Sequence, residues 1–506
     1  MKIESYRRGI AFSMIFNVFA RSLGFLTSLF VSFYFGTQRN ADLYFYCVAT
    51  VALFVGFLSS FNSTIIIPEA MRLEAREGRR QTTAFVNLFL YIYLLIGLFV
   101  TAAVLYAPVQ VFLLMSKFDG QTLNSNVAVL YFCAPLFTMN LINTYLMDIA
   151  TSYKFFTMPM ISNMIMNLMA ISGIIFFKDI LGISSIMAGL VIGNILQGIM
   201  LVYMLRHYLA WSFCPESFKI KADVFQNIIF AKFGNLSNVV ATYIPMFIMS
   251  GMGNGLISGL NYSKQVAEIP NLLATYQFSS VAGIKLNELN ALGEHENMNR
   301  IFISSSNILL FLVTPVSIFM MIYSSEIISL LFQRGNFTMQ SVSLCSMFLK
   351  IFALLLPFVA IGTMASKICL ATQRIFAVSV YQIFMNLLLI IFSVLGLHMF
   401  GGMGYPMALL AGGIINVISF YFFAGIFFSW LKYHIVLRYL LKVFFVNAFI
   451  GSGILLLKIG LAGMPLGVNI AAGGIAYAAV LVIVNKKFII NGDANALLLS
   501  VIGKIR

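Results

Sequence analysis

"GLNYSKQVAEIP", residues 259–270, places Lys264 and Glu268 inside a segment that otherwise reads as a membrane span. How this stretch is read decides the fold. In a soluble helix two charges one turn apart are ordinary, whereas in a bilayer each costs roughly 2.5–3.5 kcal/mol at mid-depth and must face a protein interior or a wet cavity. The surrounding chain chooses between these cases. Of its 506 residues 61% are hydrophobic and only 9% charged, the balance of a polytopic membrane protein rather than of a domain that covers its surface with charge.

Apolar windows of about 20 residues, the length that crosses a hydrocarbon core, recur along the whole chain. They fall at 9–36, 42–67, 83–115, 125–149, 157–177, 185–205, 225–250, 255–283, 301–323, 340–371, 376–398, 405–429, 441–460 and 467–485. The expected fold is therefore an all-α polytopic membrane protein of about 14 transmembrane helices. The opening MKIESYRR has the charge of a signal-peptide n-region, but the apolar stretch after it is about 25 residues, too long for an h-region, so it reads as a retained first helix.

The net charge of +15 does not point to nucleic acid, because the basic residues sit in short loops between apolar runs instead of forming a patch with aromatic stacking positions. Their distribution gives an orientation. With the N-terminus inside, 22 of the 31 Lys and Arg fall in cytoplasmic segments, including Lys2, Arg72, Arg79, Lys154, Arg206, Lys285, Arg374 and Lys504. Five face outward: Arg39, Lys117, Lys178, Arg334 and Lys458. The split predicts cytoplasmic N- and C-termini and an even helix count.

Four cations remain within the spans: Arg21, Lys232, Lys264 and Lys350. Arg21 lies near the centre of the first span, where it either lines a cavity or ties to carbonyls. Lys264 and Glu268 share a helix face; they either neutralise one another or form a polar wall with Asn261, Tyr262, Gln265 and Asn271. Pro270 removes one backbone hydrogen bond and is expected to kink this helix, as a cavity wall or gate requires. Lys232 is close enough to a span end to snorkel, and Lys350 sits in the outer part of the tenth span. Asp42 and Asp148 fall at helix ends, and Asn residues such as Asn143, Asn194, Asn386 and Asn416 are expected to hydrogen-bond between helices.

Catalytic patterns are absent: His207, His295, His398 and His434 lie in or beside loops without ligand spacing, and no GxSxG, P-loop or HExxH occurs. Five cysteines, Cys47, Cys133, Cys214, Cys345 and Cys369, lack CxxC spacing. No enzyme, metal or cofactor is expected. A faint repeat relates the first helix, its loop and ADLYFY (41–46) to the seventh helix, GMGNG and SGLNYS (258–263). It predicts two pseudo-symmetric six-helix lobes, 1–215 and 216–435, plus two C-terminal helices with a cytoplasmic tail, 436–506, with a site at the lobe interface as in many transporters.

Three stretches resemble the MviN/MurJ family of lipid II flippases, in the multidrug/oligosaccharidyl-lipid/polysaccharide exporter superfamily. They are LLFQRGNFT (330–338), ARSLGFLTSLFVSFYFG (20–36) followed by Ala41-Asp42, and YSKQVAEIP (262–270). Arg21, Asp42, Glu268 and Pro270 match family positions. Thr27 replaces a second family Arg and Ser28 its Asp neighbour, Lys264-Gln265 replaces a family Asp-Arg, and 48–68 has no counterpart of an arginine-containing turn.

The resemblance implies a flippase moving a polyprenyl-diphosphate-linked glycan, lipid II-like, from the cytoplasmic to the outer leaflet of the bacterial cytoplasmic membrane by alternating access. Arg21, Lys264, Gln265 and Glu268 would contact substrate, while Asp42, Pro270 and Lys350 would serve gating or cavity support. Residues 436–506 would shelter the lipid tail. Coupling to membrane potential or an ion is implied, and the partners are a lipid-linked anionic glycan, membrane lipids and cell-envelope biosynthesis proteins. The altered arginines keep open an exporter of another lipid-linked oligosaccharide (O-antigen, capsule or teichoic-acid unit). A cation-coupled drug antiporter would want carboxylates in the first helix, which has none, and a non-transporting scaffold would have no use for buried charge.

Overall fold

The computed structural model describes residues 6–214, 222–461 and 463–488. The described residues form fourteen long helices, and no strand occurs among them. We label them α1 (Tyr6–Phe35), α2 (Arg39–Glu77), α3 (Arg79–Tyr106), α4 (Val127–Ser152), α5 (Thr157–Leu181), α6 (Ser184–Leu209), α7 (Ala222–Ser250), α8 (256–291), α9 (His295–Ile322), α10 (Met339–Ala371), α11 (Ile375–Phe400), α12 (Gly404–Phe427), α13 (Tyr433–Gly460) and α14 (Leu466–Phe488). Among the described residues ten runs are long and apolar enough to cross a membrane by length and composition, and one of these, Phe376–Phe427, holds two helices. Large apolar side chains such as Phe99, Phe176, Ile180 and Phe449 are exposed, as lipid-facing surfaces require. Lys2, Lys219, Lys221, Lys504 and Arg506 lie outside the described residues, as do the side chains of Arg7, Arg8, Lys232, Lys486 and Lys487.

The eighth and thirteenth spans are each eight residues longer than expected, at 291 and 433, and the second and third differ most. The second runs on past residue 67 to Glu77, because a π turn at Asn62–Ile66 passes directly into a new α segment whose first turn carries Pro68, so the missing N–H shifts the hydrogen-bond register there without ending the helix. Arg72 and Arg76 are therefore helical rather than in a loop. The third span, expected to run to 115, ends at Tyr106; Ala107 leaves helical geometry at φ −143° and ψ 66°, and Pro108 opens a separate short helix to Met115.

Contacts divide the chain into two compact units, Met1–Ser258 with Arg334–Phe337, and Gly259–Gln333 with Thr338–Arg506. In the first, α5 packs on α1 and α6, α4 on α2, α3 and α6, and α7 on α2. The α5–α6 contact is close because Gly173 and Gly189 face each other: a Cβ on Gly173 would lie 2.5 Å from the Ser185 carbonyl oxygen and 2.9 Å from the Gly189 Cα. Small residues that let backbones approach are how membrane helices gain dispersion contacts without a hydrophobic driving force. Asn143, Asn194, Gln197, Ser162 and Asn163 form a hydrogen-bonded cluster between α4, α5 and α6, with Asn143 Nδ2 donating to the Asn194 carbonyl at 2.9 Å and Gln197 Nε2 to Asn163 Oδ1 at 2.9 Å.

The tetrapeptide 334–337 belongs to the first unit. Asn336 N donates to the Phe33 carbonyl at 2.8 Å and its Nδ2 to the Tyr34 carbonyl at 2.5 Å. Gly335 has φ +57° and a Cβ there would strike the Phe33 carbonyl oxygen, so the Arg-Gly-Asn turn accepts only glycine at its centre.

In the second unit α9 packs on α8, α10 and α13, α10 on α8 and α12, and α12 on α11. Leu286, Phe302, Leu309, Met364, Ile368, Val417, Phe420, Tyr433 and Val436 make its main core. The C-terminal pair is pinned by Lys458 of α13, whose Nζ donates to Glu326 Oε2 at 2.8 Å and to the Ile322 carbonyl at 2.7 Å, over the Tyr323 ring. Tyr323 packs in turn with Ile450, Ile454 and Tyr477.

Candidate functional site

Two polar sites stand out against the apolar background, one in each unit. In the first, α2 begins after the turn at Thr37–Gln38 and puts Arg39, Asp42 and Tyr46 on one face by their spacing. The Arg39 guanidinium donates to the Ser250 carbonyl at 2.7 Å and the Met252 carbonyl at 3.0 Å, lies 4.5 Å over the Phe118 ring, and comes within 3.9 Å of Asp119. Tyr46 donates to the Met115 carbonyl.

Asp42 is fully buried. Its Oδ2 accepts from Gly255 N at 2.7 Å, and its Oδ1 from Ser258 N at 2.8 Å and Ser258 Oγ at 2.7 Å. These donors belong to the N-terminus of α8, whose first N–H groups have no intrahelical partner. Within the first unit the carboxylate thus caps the helical start at Gly255–Ser258, where the unpaired N–H groups concentrate positive charge. Gly255, at φ +84°, makes the approach feasible, since a Cβ there would lie 2.7 Å from the Thr37 carbonyl oxygen. The sequence placed Asp42 at a helix end but could not identify its partners, and it counted Arg39 only as an outward loop charge. The Arg-x-x-Asp opening of α2 was the available signal for both.

In the second unit α8 is the relevant helix. Its α segment ends at Pro270, and Asn271–Thr275 form a π turn before α geometry resumes at Tyr276. Pro270 thus marks a change of helix type. Glu268 does not ion-pair with Lys264: no ion pair among the described residues joins them. Instead its Oε1 accepts from the Tyr276 hydroxyl and its Oε2 from Asn271 Nδ2 at 3.5 Å, while Asn271 Oδ1 accepts from Thr275 Oγ1 at 3.0 Å. The wider π turn brings Tyr276, eight residues on, round to the Glu268 face. Neutralisation by Lys264 is thereby replaced with hydrogen bonding across the π turn, and Tyr276 is the partner that i, i+4 reasoning missed.

Lys264 is exposed, and among the described residues no hydrogen bond or ion pair holds it. Beside it, Gln265 Oε1 is buried and accepts from nothing among the described residues. Arg21 is exposed on α1 in the first unit, and Lys350 is exposed on α10 in the second without an ion pair among the described residues. Arg21 and Asp42 thus belong to one unit, and Lys264, Gln265, Glu268, Pro270 and Lys350 to the other. No group of His, Cys, Asp and Glu among the described residues is arranged to hold a metal, and all five cysteines are free.

The family model of the lipid II flippase MurJ matches residues 31–487. A probable lipid II flippase MurJ of Borreliella burgdorferi is 24% identical over 416 residues, covering 81% of each chain. One of Thermotoga maritima is 25% identical over 459 residues, covering 90% of this chain and 91% of its own. Among solved structures, a lipid II flippase MurJ in an inward closed conformation superposes with a TM-score of 0.76 at 20% identity, over 95% of this chain and all of that one. An inward-facing multidrug transporter of the MATE family of the MOP superfamily gives 0.66 at 14% identity, over 83% of this chain and 99% of its own. The structural likenesses concern the fold. With a family match extending over most of its length, this multi-pass membrane protein belongs to the lipid II flippase MurJ family.

Proposed function

We propose that this chain flips a polyprenyl-diphosphate-linked glycan, a lipid II-like peptidoglycan precursor, from the cytoplasmic to the outer leaflet by alternating access. The observation that carries the reading, beside family membership, is the face of α8. There an exposed, unpaired Lys264 adjoins a buried Gln265 oxygen with no partner among the described residues. Buried polar groups in a folded chain are nearly always satisfied, so an open acceptor next to an uncommitted cation suits a ligand that brings both anionic oxygens and hydroxyl donors. A phosphorylated sugar brings both. Arg21 and Lys264 act on the diphosphate as point charges, in surroundings where scarce water strengthens the attraction. Glu268 holds the π turn of α8 through Tyr276.

The moving halves are residues 1–215 and 216–435, and 436–506 shelters the lipid tail. On this reading the contact of α2 with α7 and the start of α8, tied by Arg39 and Asp42, is the outer gate, with Pro270 and Lys350 supporting the cavity. The chain resides in the bacterial cytoplasmic membrane with both termini in the cytoplasm, an orientation supported by the 22 to 5 division of Lys and Arg. Transport draws on membrane potential or an ion gradient, and envelope-biosynthesis proteins supply the substrate. It is transport rather than catalysis that the residues serve.

A second reading, export of an O-antigen, capsule or teichoic-acid unit, is favoured by Thr27, Ser28 and Lys264-Gln265, where the family has arginines and acids. Complementation of a strain depleted of its lipid II flippase separates the two. Rescue, lost on Arg21→Ala or Lys264→Ala at normal protein abundance, supports the first reading; no rescue with accumulation of another lipid-linked glycan on deletion supports the second. Full rescue by both variants removes the phosphate-contact role.

A further inference from the structure

In the second unit an open pocket of about 400 Å³ lies between α10 and α12. Its walls are Leu355, Phe358, Val359 and Leu370, and Gly362 and Gly413 also line it. A Cβ on Gly413 would lie 2.7 Å from Leu355 Cδ1, one on Gly362 3.4 Å from Asn416 Nδ2, and one on Gly283 of α8 3.0 Å from Lys367 Cδ.

Two donors enter this apolar space without partners. Asn416 is oriented by Tyr381, whose hydroxyl donates to Asn416 Oδ1 at 2.7 Å. That leaves the Asn416 Nδ2 over Gly362, donating to nothing among the described residues. Lys367, half-buried, has its stem against Gly283 and no hydrogen bond or ion pair among the described residues. It lies five residues beyond Gly362, about 7.5 Å along the axis, and lines the same pocket as the Asn416 amide. The Thr363 and Ser366 hydroxyls, which also line the pocket, donate to the carbonyls of Val359 at 2.8 Å and Gly362 at 2.9 Å, leaving oxygens that accept but add no donor.

An unpaired cation and an unpaired amide in apolar surroundings are costly unless an acceptor reaches them. We propose that this pocket binds the phosphate head of an anionic membrane amphiphile. Lys367 and Asn416 are its two donors, and Leu355, Phe358 and Leu370 take the first carbons of the chain. The phosphate belongs either to the transported polyprenyl lipid or to a bilayer phospholipid, and the assignment stands whichever glycan is carried.

Native mass spectrometry of the purified full chain tests it, with undecaprenyl phosphate, phosphatidylglycerol and uncharged diacylglycerol as separate probes. The protein is expected to retain one phosphate-bearing amphiphile at concentrations where diacylglycerol does not bind. Lys367→Gln and Asn416→Leu should each weaken retention about tenfold, and Lys367→Arg should keep it. Lys367→Gln keeps most of the stem that packs on Gly283, and an unchanged Tm in detergent separates lost binding from a folding defect. Preference for undecaprenyl phosphate assigns the pocket to the transport route, and equal or greater retention of phosphatidylglycerol assigns it to a bilayer lipid. Diacylglycerol binding as tightly as the phosphates, or Lys367→Gln binding them like the native chain, overturns the proposal.

Discussion

Replacing Asp42 by Asn is the most informative single change at the proposed gate, because shape is kept while the acceptor count falls. The carboxylate accepts three hydrogen bonds at 2.7–2.8 Å from Gly255 N, Ser258 N and Ser258 Oγ. With the amide oxygen toward Ser258, the NH2 meets the Gly255 N–H; with the amide turned over, it meets the Ser258 N–H. Either way one buried backbone donor loses its acceptor, at about 1–3 kcal/mol, and the surviving bonds lose their charge assistance. The sum is about 3 kcal/mol. If the cap exists only while α8 starts against α2, this moves the closed-to-open equilibrium by roughly 150-fold. Nitroxide pairs on Asn40 and Asn254, in a background with the exposed Cys214 replaced, report it by pulsed electron paramagnetic resonance. The native protein should give one short distance, and Asp42→Asn a major longer one together with a changed flipping rate. An unchanged distance distribution and rate in Asp42→Asn would refute the reasoning.

Other expected outcomes follow from particular contacts. Lys458→Met strands Glu326, about one-fifth exposed, and should lower stability by about 1–2 kcal/mol, read as a drop in Tm in detergent; Lys458→Met with Glu326→Gln should recover most of it. Because Glu268 bonds to Tyr276 rather than to Lys264, a double-mutant cycle of Lys264→Met and Glu268→Gln should give a stability coupling below about 0.5 kcal/mol, whereas Glu268→Gln and Tyr276→Phe should couple measurably. Asp119 caps the helix Gly120–Ser125, and the Thr122 hydroxyl and amide, at 2.7 and 2.8 Å, hold its carboxyl below the usual range. A lowered folded-state value means the cap, about 1 kcal/mol, is complete above the ordinary carboxylate range and fades as pH falls through the lowered value. Hydrogen exchange of the segment 120–125, corrected for intrinsic rates, should show protection lost at low pH in the native chain and little pH response in Asp119→Asn.

The spans were legible because a bilayer demands about 20 apolar residues per crossing, a signal that side-chain identity carries directly. The Ala107-Pro108 break was legible in principle, since the residue before proline avoids helical geometry, but it lies within a continuous apolar run. The π turns at Asn62 and Asn271 were not, because an extra residue per turn leaves composition unchanged. Their trace is a buried Asn in each: Asn62 donates to Asp148 at 2.7 Å and accepts from Tyr93 at 2.9 Å, and Asn271 bridges Glu268 and Thr275. The spacing of Lys264 and Glu268 suggested a pair only under regular α periodicity, which the π turn interrupts. Asp42 could be recognised as an acid at a helix start, but its role depends on donors more than 200 residues away in sequence.

Reconstitution into vesicles measures the central claim most directly. Purified protein, fluorescent lipid II and an outer-leaflet-acting enzyme that modifies the glycan together report how much substrate has crossed. The account predicts crossing that depends on the protein, falls to the protein-free rate in Arg21→Ala and Lys264→Ala, and is competed by other polyprenyl-diphosphate glycans but not by cationic drugs. Crossing of lipid II no faster than in protein-free vesicles, across imposed potentials and ion gradients, would contradict it.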